Sequence, residues 1–399
     1  EMNEKIYFII DTPIVKSYIS YYALDAFSEH NIEYVLIDVS PLINKRAYKS
    51  VKSDLIDYSE PNIYLCKSFD MLEKMVNDMP EEAMVIDSGG YNLDHLKIYR
   101  KLWKKNAKYG YMILNSCFET STAKKGFDRV VSFVKGFRIR RMVNSVFIRM
   151  PKKWFGAKAC AFVINNSPEE IENYKKRFFC DEHTKFLIVH SNFYEEALEK
   201  KAAERVVPQK YCVWLDSYIP YHPDLSQIPG AYVDAESYYQ ALRKFFHWIQ
   251  NEYGIKVVVA AHPRSDYNEH KDAYEGFEIY KFCTCVLVRD AEFVLSAAST
   301  SFLYAVMYKK PILFIYQTAL MNGLPTHILF MDKLSKEVGT RPIYIDGEQQ
   351  MDRTNIDELL RVNEEEYQRV ANEYIKENFN GKIEGKSYKQ QIISFLEGI

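Results

Sequence analysis

The sequence predicts an α/β protein of two domains, each built on a parallel β-sheet with helices on both faces. With 399 residues, the chain is longer than a single ordinary hydrophobic core usually organises. Short apolar runs alternate with helical patterns in both halves, which indicates strand–helix–strand units. Several runs, such as residues 6–10, are continuously apolar, and this is typical of strands buried on both faces.

The first half contains seven predicted strands, separated for the most part by helical patterns. The strands are residues 6–10, 34–38, 62–65, 83–86, 109–114, 161–164 and 186–189. The helices are predicted over residues 15–30, 69–78, 92–106 and 195–208. We place the first domain, which is Rossmann-like, at residues 1–205.

The second half repeats the alternation. Strands are predicted over residues 211–215, 257–261, 293–295 and 311–315, and helices over 235–253, 302–308, 364–378 and 388–396. A second Rossmann-like domain is therefore placed at residues 206–380. Residues 381–399 are expected to form a helix that packs back on the first domain. The two domains are expected to face a central cleft.

Composition and absent motifs exclude several classes of protein. The net charge of −2 provides no field that attracts nucleic acid, so no nucleic-acid partner is expected. The seven cysteines are scattered without CxxC pairs, which favours reduced thiols and a cytoplasmic location. No P-loop, GxGxxG or DxD pattern is present, so no metal ion and no cofactor are expected.

Polar residues follow two predicted strands of the second half, where ligands of parallel sheets bind. His262 closes a buried strand, Pro263 fixes the turn, and Arg264 supplies a forked cation suited to phosphate oxygens. A further segment opens a helix, and its hydroxyl and amide groups predict an anion site; its residues are Ser299, Thr300 and Ser301. Together the two segments predict a site for the phosphate of a nucleotide.

The segments 214–217, 236–239, 258–264, 299–301 and 310–312 resemble bacterial sialyltransferases of the GT-B type and related surface-polysaccharide transferases. Those proteins carry an HP motif and a later serine-rich motif in the nucleotide-binding domain. The resemblance implies a GT-B fold in which the domain at residues 1–205 binds the acceptor and the domain at residues 206–380 binds the nucleotide sugar. It also implies an inverting mechanism without metal, and a CMP donor carrying a nonulosonic (sialic-acid-like) acid. The implied acceptor is a surface glycan or glycolipid, such as capsule or lipooligosaccharide. His262 would act on the leaving phosphate, which residues 299–301 would hold.

The catalytic base is less clearly marked in the sequence. The family carries two acidic residues followed by Gly, and the nearest match here is Asp87 followed by Ser88 and two glycines. Asp87 at a strand end is the predicted base, with Asp216 and Asp224 as alternatives. The structural alternative is that Asp87 is an ordinary turn residue. The second HP dipeptide, His222 with Pro223, follows no strand directly and is interpreted as part of a loop.

Residues 124–158 have an unusual composition, with eleven Lys or Arg residues against a single acidic residue, Asp128. One interpretation is a surface that holds the protein against an anionic membrane, at the inner face of the cytoplasmic membrane, or that binds an acidic glycan. The other is a solvated pair of helices whose aromatic residues belong to the core.

Two alternative functions remain open from the sequence. One keeps the fold and changes the donor, giving a CDP-glycerol-type polyol-phosphate transferase or a UDP-sugar transferase. The other is a non-catalytic protein that binds nucleotides or glycans.

Overall fold

The computed structural model describes residues 5–16, 18–50, 55–114, 143–144, 146–167, 171–222, 225, 228, 230–347 and 352–399. Among these residues the chain forms two compact units. The first runs to His190 and resumes at Lys386, and the second spans Ser191–Gly385. Each unit contains one parallel β-sheet. The predicted fold class, α/β with two parallel-sheet domains, is confirmed.

The sheet of the first unit has seven described strands in the order β3-β2-β1-β4-β5-β6-β7, and all its pairings are parallel. This is the Rossmann-like order, which reverses direction between β1 and β4. The strands are β1 Lys5–Ile10, β2 Glu33–Asp38, β3 Ile63–Leu65, β4 Met84–Asp87, β5 Lys108–Ile113, β6 Phe162–Asn165 and β7 Lys185–Ile188.

Short helices connect these strands, and one helix from the end of the chain packs on the same sheet. They are Tyr18–Tyr21, Leu24–Glu29, Ser40–Ile43, Lys45–Ser50, Phe69–Asp78, Leu96–Lys104, Ile171–Arg177 and Tyr388–Glu397, with a 3₁₀ turn at Lys152–Phe155. The single helix predicted over residues 15–30 is wrong, because Ala23 adopts a left-handed conformation with φ 52° and divides it in two.

Alternate residues of β1 pack on opposite faces of the first sheet. Ile6, Phe8 and Ile10 belong to one apolar cluster, which also contains the inner side chains of the C-terminal helix Tyr388–Glu397. Ile9 belongs to the other cluster. Helices therefore cover both faces, which explains why the strand is a continuous apolar run rather than an alternating one.

The second unit has six described strands in the order β10-β9-β8-β11-β12-β13, which is the same Rossmann-like arrangement with its reversal between β8 and β11. The strands are β8 Tyr211–Leu215, β9 Lys256–Ala261, β10 Glu278–Lys281, β11 Val294–Ser296, β12 Ile312–Tyr316 and β13 Ile343–Tyr344. The helices are Asn192–Glu199, Ala235–Tyr253, Thr284–Asp290, Phe302–Met307, Thr318–Gly323, Pro325–Glu337, Arg353–Leu359 and Glu364–Tyr374.

The second unit begins at Ser191, earlier than the boundary placed after residue 205. The helix Asn192–Glu199 causes this difference, because its Tyr194 and Ala197 are buried in the core of the second unit. The Tyr194 hydroxyl also donates to the carbonyl oxygen of Glu384 at 2.8 Å. The second unit ends at Gly385 rather than at residue 380.

Two predictions fall partly or wholly on residues that the structure does not describe. Of the basic segment 124–158, only residues 143–144 and 146–158 are described, and Asp224 lies outside the described residues. Across the described ranges, none of the helices combines the length and apolar character that a membrane span requires.

Candidate functional site

Each sheet reverses its strand order at one point, and ligands of doubly wound sheets bind at the carboxyl ends of the strands beside that point. In the first unit these strands are β1 and β4, and Asp87 is the last residue of β4. In the second unit they are β8 and β11, with β9 next to β8. Asp216 follows β8, His262 follows β9, and Ser299 lies three residues after β11. The sequence-predicted residues of the second unit therefore lie along one edge of one sheet.

Asp216 is a buried carboxylate, 3% exposed, that accepts four hydrogen bonds. Its Oδ1 atom accepts from the Tyr218 amide at 2.9 Å and from the Tyr274 hydroxyl at 3.0 Å. Its Oδ2 atom accepts from the His262 amide at 3.2 Å and from the Tyr267 hydroxyl at 2.7 Å. Burial raises the pKa of this carboxyl group, and the four donors offset part of that rise.

These contacts assign Asp216 a positioning role. Its two oxygens join the loop after β8 to the loop after β9, and four donors occupy the lone pairs that a general base would need. We therefore infer that this alternative base holds His262 in place instead of removing a proton from an acceptor.

His262 is half-buried, and its ring orientation is fixed locally. The Arg264 amide donates to its Nδ1 atom at 3.2 Å, so the neutral ring carries its proton on Nε2. The His262 carbonyl oxygen accepts from the Ser265 amide at 2.9 Å and from its hydroxyl at 2.7 Å. Pro263 and Arg264 are exposed at the tip of the turn. The loop thus presents a ring whose Nε2 is the donor atom.

A second histidine lies beside His262. The sequence pattern had placed this second histidine only in a loop. The rings of His222 and His262 have centroids 5.0 Å apart at an interplanar angle of 77°. The preceding residue, Tyr221, stacks on His270 with centroids 3.5 Å apart. This contact holds the loop against the sheet edge, and it joins residues far apart in the sequence. Pro223 lies outside the described residues.

The serine segment follows β11 through a strained turn. Ala298 has φ 70°, a left-handed conformation that non-glycine residues adopt rarely and often at functional sites. A hydrogen bond joins the His327 ring Nε2 and the Ala297 carbonyl oxygen. Burial lowers the pKa of this histidine, so the ring is neutral and donates this bond. The turn is therefore anchored from the helix Pro325–Glu337.

Two of the three amides predicted to bind phosphate are used inside this segment. The Ser299 amide donates to the Ser296 hydroxyl at 3.1 Å, and the Ser301 amide donates to the Ser299 hydroxyl at 3.4 Å. The Thr300 amide donates to no other residue within the described part of the chain. One amide and the three half-buried hydroxyl groups are what the segment offers to a ligand.

The strand register places the histidine loop and the serine loop on either side of Asp216. Ala260 of β9, Leu215 of β8 and Ser296 of β11 lie in one row across the sheet. Neighbouring strands are about 4.8 Å apart, so the two outer loops begin roughly 10 Å from each other. That spacing leaves room for one phosphate group between donors from both loops.

A polar cavity of about 940 Å³ opens farther along the same unit, after β12 and β13. Thr318 and Asp346 line it from the two strand ends, and the Thr318 amide donates to the Asp346 carboxylate at 2.6 Å. Ser237 and Gln240 line it from the helix Ala235–Tyr253. The sequence analysis did not identify this cavity, because strand β13 has only two residues and no apolar run to mark it.

In the first unit, the predicted base Asp87 is 1% exposed and lies inside a polar cluster. Its Oδ2 atom accepts from the Tyr99 hydroxyl, and its Oδ1 atom accepts from the Gly89 amide at 3.3 Å. The Oδ1 atom also lies 3.5 Å from Nδ1 of His95. Asp87 is therefore enclosed by protein groups and does not reach solvent.

His95 is completely buried and connects Asp87 to a second carboxylate, Asp11, which follows β1 directly. The His95 Nε2 atom lies 3.7 Å from Oδ2 of Asp11. Burial opposes a charge on the ring, but Asp87 and Asp11 outweigh it and raise the pKa of His95 to about 10. At neutral pH the ring is therefore an imidazolium between two carboxylates.

Asp11 is the member of this cluster that reaches solvent, with 26% of its side chain exposed. Burial opposes its charge, but His95 and the Ser88 hydroxyl, which donates to Oδ1 at 3.2 Å, lower the pKa of the carboxyl group below its usual value. The sequence analysis missed Asp11 and His95. The position of Asp11 at the end of the first buried strand was the available signal.

The described residues contain no group of three or more His, Cys, Asp or Glu side chains placed to bind a metal ion. The Asp216 and Asp87 carboxylates accept hydrogen bonds from tyrosine hydroxyls and backbone amides.

Replacing Tyr267 with Phe is expected to lower the free energy of unfolding of the second unit by about 2 kcal/mol, because Asp216 loses a hydrogen bond from a hydroxyl to a charged group. Chemical denaturation measures this change. Tyr239→Phe is the matched control, since the hydrogen bond of the Tyr239 hydroxyl within the described residues is the one with the Tyr267 hydroxyl, at 3.4 Å, and not one with Asp216. Equal losses in the two variants would contradict the positioning role of Asp216.

Comparisons with known proteins found structural similarity without a family assignment. No protein-family model and no curated protein sequence matches the chain. UDP-GlcNAc 2-epimerase from Methanocaldococcus jannaschii aligns over 99% of this chain and 100% of its own, with 13% identity and a TM-score of 0.44. MurG from Acinetobacter baumannii aligns over the same shares, with 8% identity and a TM-score of 0.44.

The wall teichoic acid polymerase TagF, soaked with CDPG, aligns over 99% of this chain and 88% of its own, with 12% identity and a TM-score of 0.46. Identities and TM-scores in this range transfer no activity to the chain, so its function has to be argued from its own residues.

Proposed function

We propose that the protein is an inverting GT-B glycosyltransferase that moves a sugar from a CMP donor, a nonulosonic acid, to a surface glycan or glycolipid. One observation carries the proposal: Asp216 fixes His262 beside the reversal point of the second sheet, on the same edge as residues 299–301. A paired histidine, His222, adds a second ring to that edge. These groups suit a nucleotide phosphate that leaves as an anion.

The donor side of the reaction uses the groups of the second unit. The bond between the anomeric carbon and the phosphate oxygen breaks, and the electron pair stays on that oxygen. His262 donates a hydrogen bond from its Nε2–H group to the departing phosphate, because its Nδ1 atom accepts from the Arg264 amide. The Thr300 amide and the neighbouring hydroxyl groups stabilise the same negative charge. No metal ion is needed in this scheme.

The acceptor side uses Asp11. Its carboxylate removes the proton of the acceptor hydroxyl as that oxygen attacks the anomeric carbon, and a single displacement inverts the configuration. The His95 cation keeps Asp11 ionised at neutral pH and thus ready to accept a proton. Asp87 lies at the other ring nitrogen of His95 and is enclosed by protein groups, so its carboxylate supports the His95 cation.

A thermal-shift panel with CMP, CDP, UDP and GDP tests the donor. Under the proposal CMP binds most tightly of the four nucleotides and therefore raises the melting temperature most. A ligand at 100 times its dissociation constant adds about 2.7 kcal/mol of stability. A larger shift with CDP or UDP would overturn the CMP assignment and indicate a polyol-phosphate or UDP-sugar transferase. Nucleotide binding without transfer or donor hydrolysis would indicate a non-catalytic binding protein.

Replacing His262 with Ala is expected to lower kcat for sugar transfer about a hundredfold, because the leaving phosphate loses a hydrogen-bond donor that stabilises its negative charge. The matched control is His247→Ala, which removes an exposed histidine from the helix Ala235–Tyr253 of the same unit. The control variant should retain wild-type turnover. A His262→Ala protein that turns over within a few-fold of wild type would contradict the role of the ring.

A further inference from the structure

We propose that the first unit carries a surface that binds anionic lipid bilayers, and we call it the basic–aromatic surface. It consists of the cations Lys97, Arg100, Lys104 and Lys158 together with the apolar side chains Val146 and Trp154. The proposal does not rest on the proposed transferase activity, because it concerns only the charge and exposure of these six side chains.

The cations surround a cavity of about 620 Å³ on the helix Leu96–Lys104. Five Lys or Arg residues line this cavity and only one acidic residue, Glu73, accompanies them. Glu73 pairs with Lys101 at 2.5 Å, whereas Arg100 and Lys104 form no ion pair with any described residue. This is a concentration of positive charge on a chain whose net charge is −2. An anionic partner is therefore expected at this surface.

Apolar side chains stand exposed beside these cations. Trp154 is 71% exposed and Val146 is 55% exposed. Tryptophan combines a large apolar ring with a polar N–H group, which is why it concentrates at the boundary between lipid and water. An indole ring exposed to this extent favours a partner with an apolar interior under a charged surface.

The exposed residues belong to a segment that is packed firmly on the first unit. Phe147 is buried and stacks on Tyr91 with ring centroids 5.1 Å apart. Phe147 also meets Phe155 edge to face at 4.9 Å, and Phe155 lines the basic cavity. These contacts fix the turn Lys152–Phe155, so Trp154 is presented by a folded scaffold next to the cations.

A bilayer with anionic headgroups meets both requirements at once. Its phosphate groups neutralise the cations within a Debye length, while the zone beneath them accepts the indole ring and the valine side chain. A soluble polyanion satisfies only the first requirement, because it offers no apolar medium to bury Trp154. The exposed tryptophan therefore favours an anionic bilayer over a soluble polyanion as the partner.

Vesicle co-sedimentation of the full chain tests the proposal. Binding to phosphatidylcholine vesicles that contain phosphatidylglycerol should exceed binding to phosphatidylcholine alone by at least about tenfold, and it should weaken as salt is added. The double variant Arg100→Gln with Lys104→Gln should lose about fivefold in affinity for each cation removed. Trp154→Ala should lose about tenfold, since the ring no longer leaves water.

Matched controls come from the second unit. Phe282→Ala removes a 67% exposed aromatic residue, and Lys336→Gln removes a cation whose side chain is 71% exposed. Both should bind vesicles as wild type does. The proposal is overturned if phosphatidylglycerol gives no advantage, if the controls lose as much as the surface variants, or if Trp154→Ala binds as wild type. The nucleotide thermal shift is a separate readout, so failure of either proposal is recognisable by itself.

Discussion

Replacing Asp11 with Asn is expected to lower kcat for sugar transfer about a thousandfold while leaving the protein folded and able to bind nucleotide. General-base catalysis by a positioned carboxylate contributes roughly 10²- to 10⁴-fold to a rate. The asparagine side chain has nearly the same size as that of aspartate, and the backbone amide at this position would still donate to the Ser88 hydroxyl. The variant therefore removes proton acceptance, and Asp87 remains as a carboxylate partner of His95.

Steady-state kinetics and the nucleotide thermal shift together measure this effect. The pH profile adds a second readout, because His95 and Ser88 lower the pKa of Asp11. The acid limb of kcat/KM for the wild-type protein should consequently lie below the usual range of an aspartate. Asp57→Asn, at an exposed turn where the side chain accepts from the Ser59 amide, is the control and should be silent.

Asp87→Asn distinguishes the two carboxylates. If the structure-based assignment holds, this variant loses stability because the Tyr99 hydroxyl and His95 lose their charged partner. The opposite pattern, in which a folded Asp87→Asn protein is inactive and Asp11→Asn stays within a few-fold of wild type, would restore Asp87 as the base.

The fold could be predicted well from the sequence because each strand buried in a sheet is marked by a local run of apolar residues. Strand β8, Tyr211–Leu215, and the helix Ala235–Tyr253 lie where the apolar patterns placed them, and Asp234 and Gly254 cap that helix. Strand β10, Glu278–Lys281, was missed. It is an edge strand with mostly exposed side chains, so no apolar run marks it.

The candidate sites were predicted only in part, because their geometry depends on contacts between distant segments. The rule that ligands bind at strand ends found His262 and Asp87 correctly as strand-end residues. It could not show that His95 encloses Asp87, or that Asp216 is saturated by donors. His222 was set aside because no strand precedes it, although the stacking of Tyr221 on His270 brings its loop to the sheet edge.

Replacing His95 with Gln is expected to lower the free energy of unfolding of the first unit by about 3 to 5 kcal/mol. Removing one partner of a buried ion pair leaves an uncompensated charge, and here two carboxylates would remain. The ring also fills space closely, because a Cβ atom added to Gly89 would lie 1.6 Å from its Cε1 atom. Calorimetry measures the loss, with the exposed His183→Gln as the matched control.

The pKa of His95 also determines the direction in which the stability of the protein changes with pH. The pKa of His95 rises from 6.5 in the unfolded chain to about 10 in the folded protein, so the folded state holds the proton more tightly. The stabilisation is fully present below pH 6.5 and is lost as the pH rises through about 10. Wild type should therefore lose stability across this range, by at most about 1.4 kcal/mol per pH unit from this group.

Between pH 6.5 and about 10 the difference between the two stability curves reports on His95, because the lowered pKa of its neighbour Asp11 lies far below that range. The gap between wild type and His95→Gln should be widest below pH 6.5 and should narrow toward pH 10. Parallel curves would mean that the ring is neutral in the folded protein. Asp11 would then lack the cation that lowers its pKa, and the acid limb of activity would move up toward the usual aspartate range. The stability of the first unit and the ionisation of its proposed base therefore depend on the same proton.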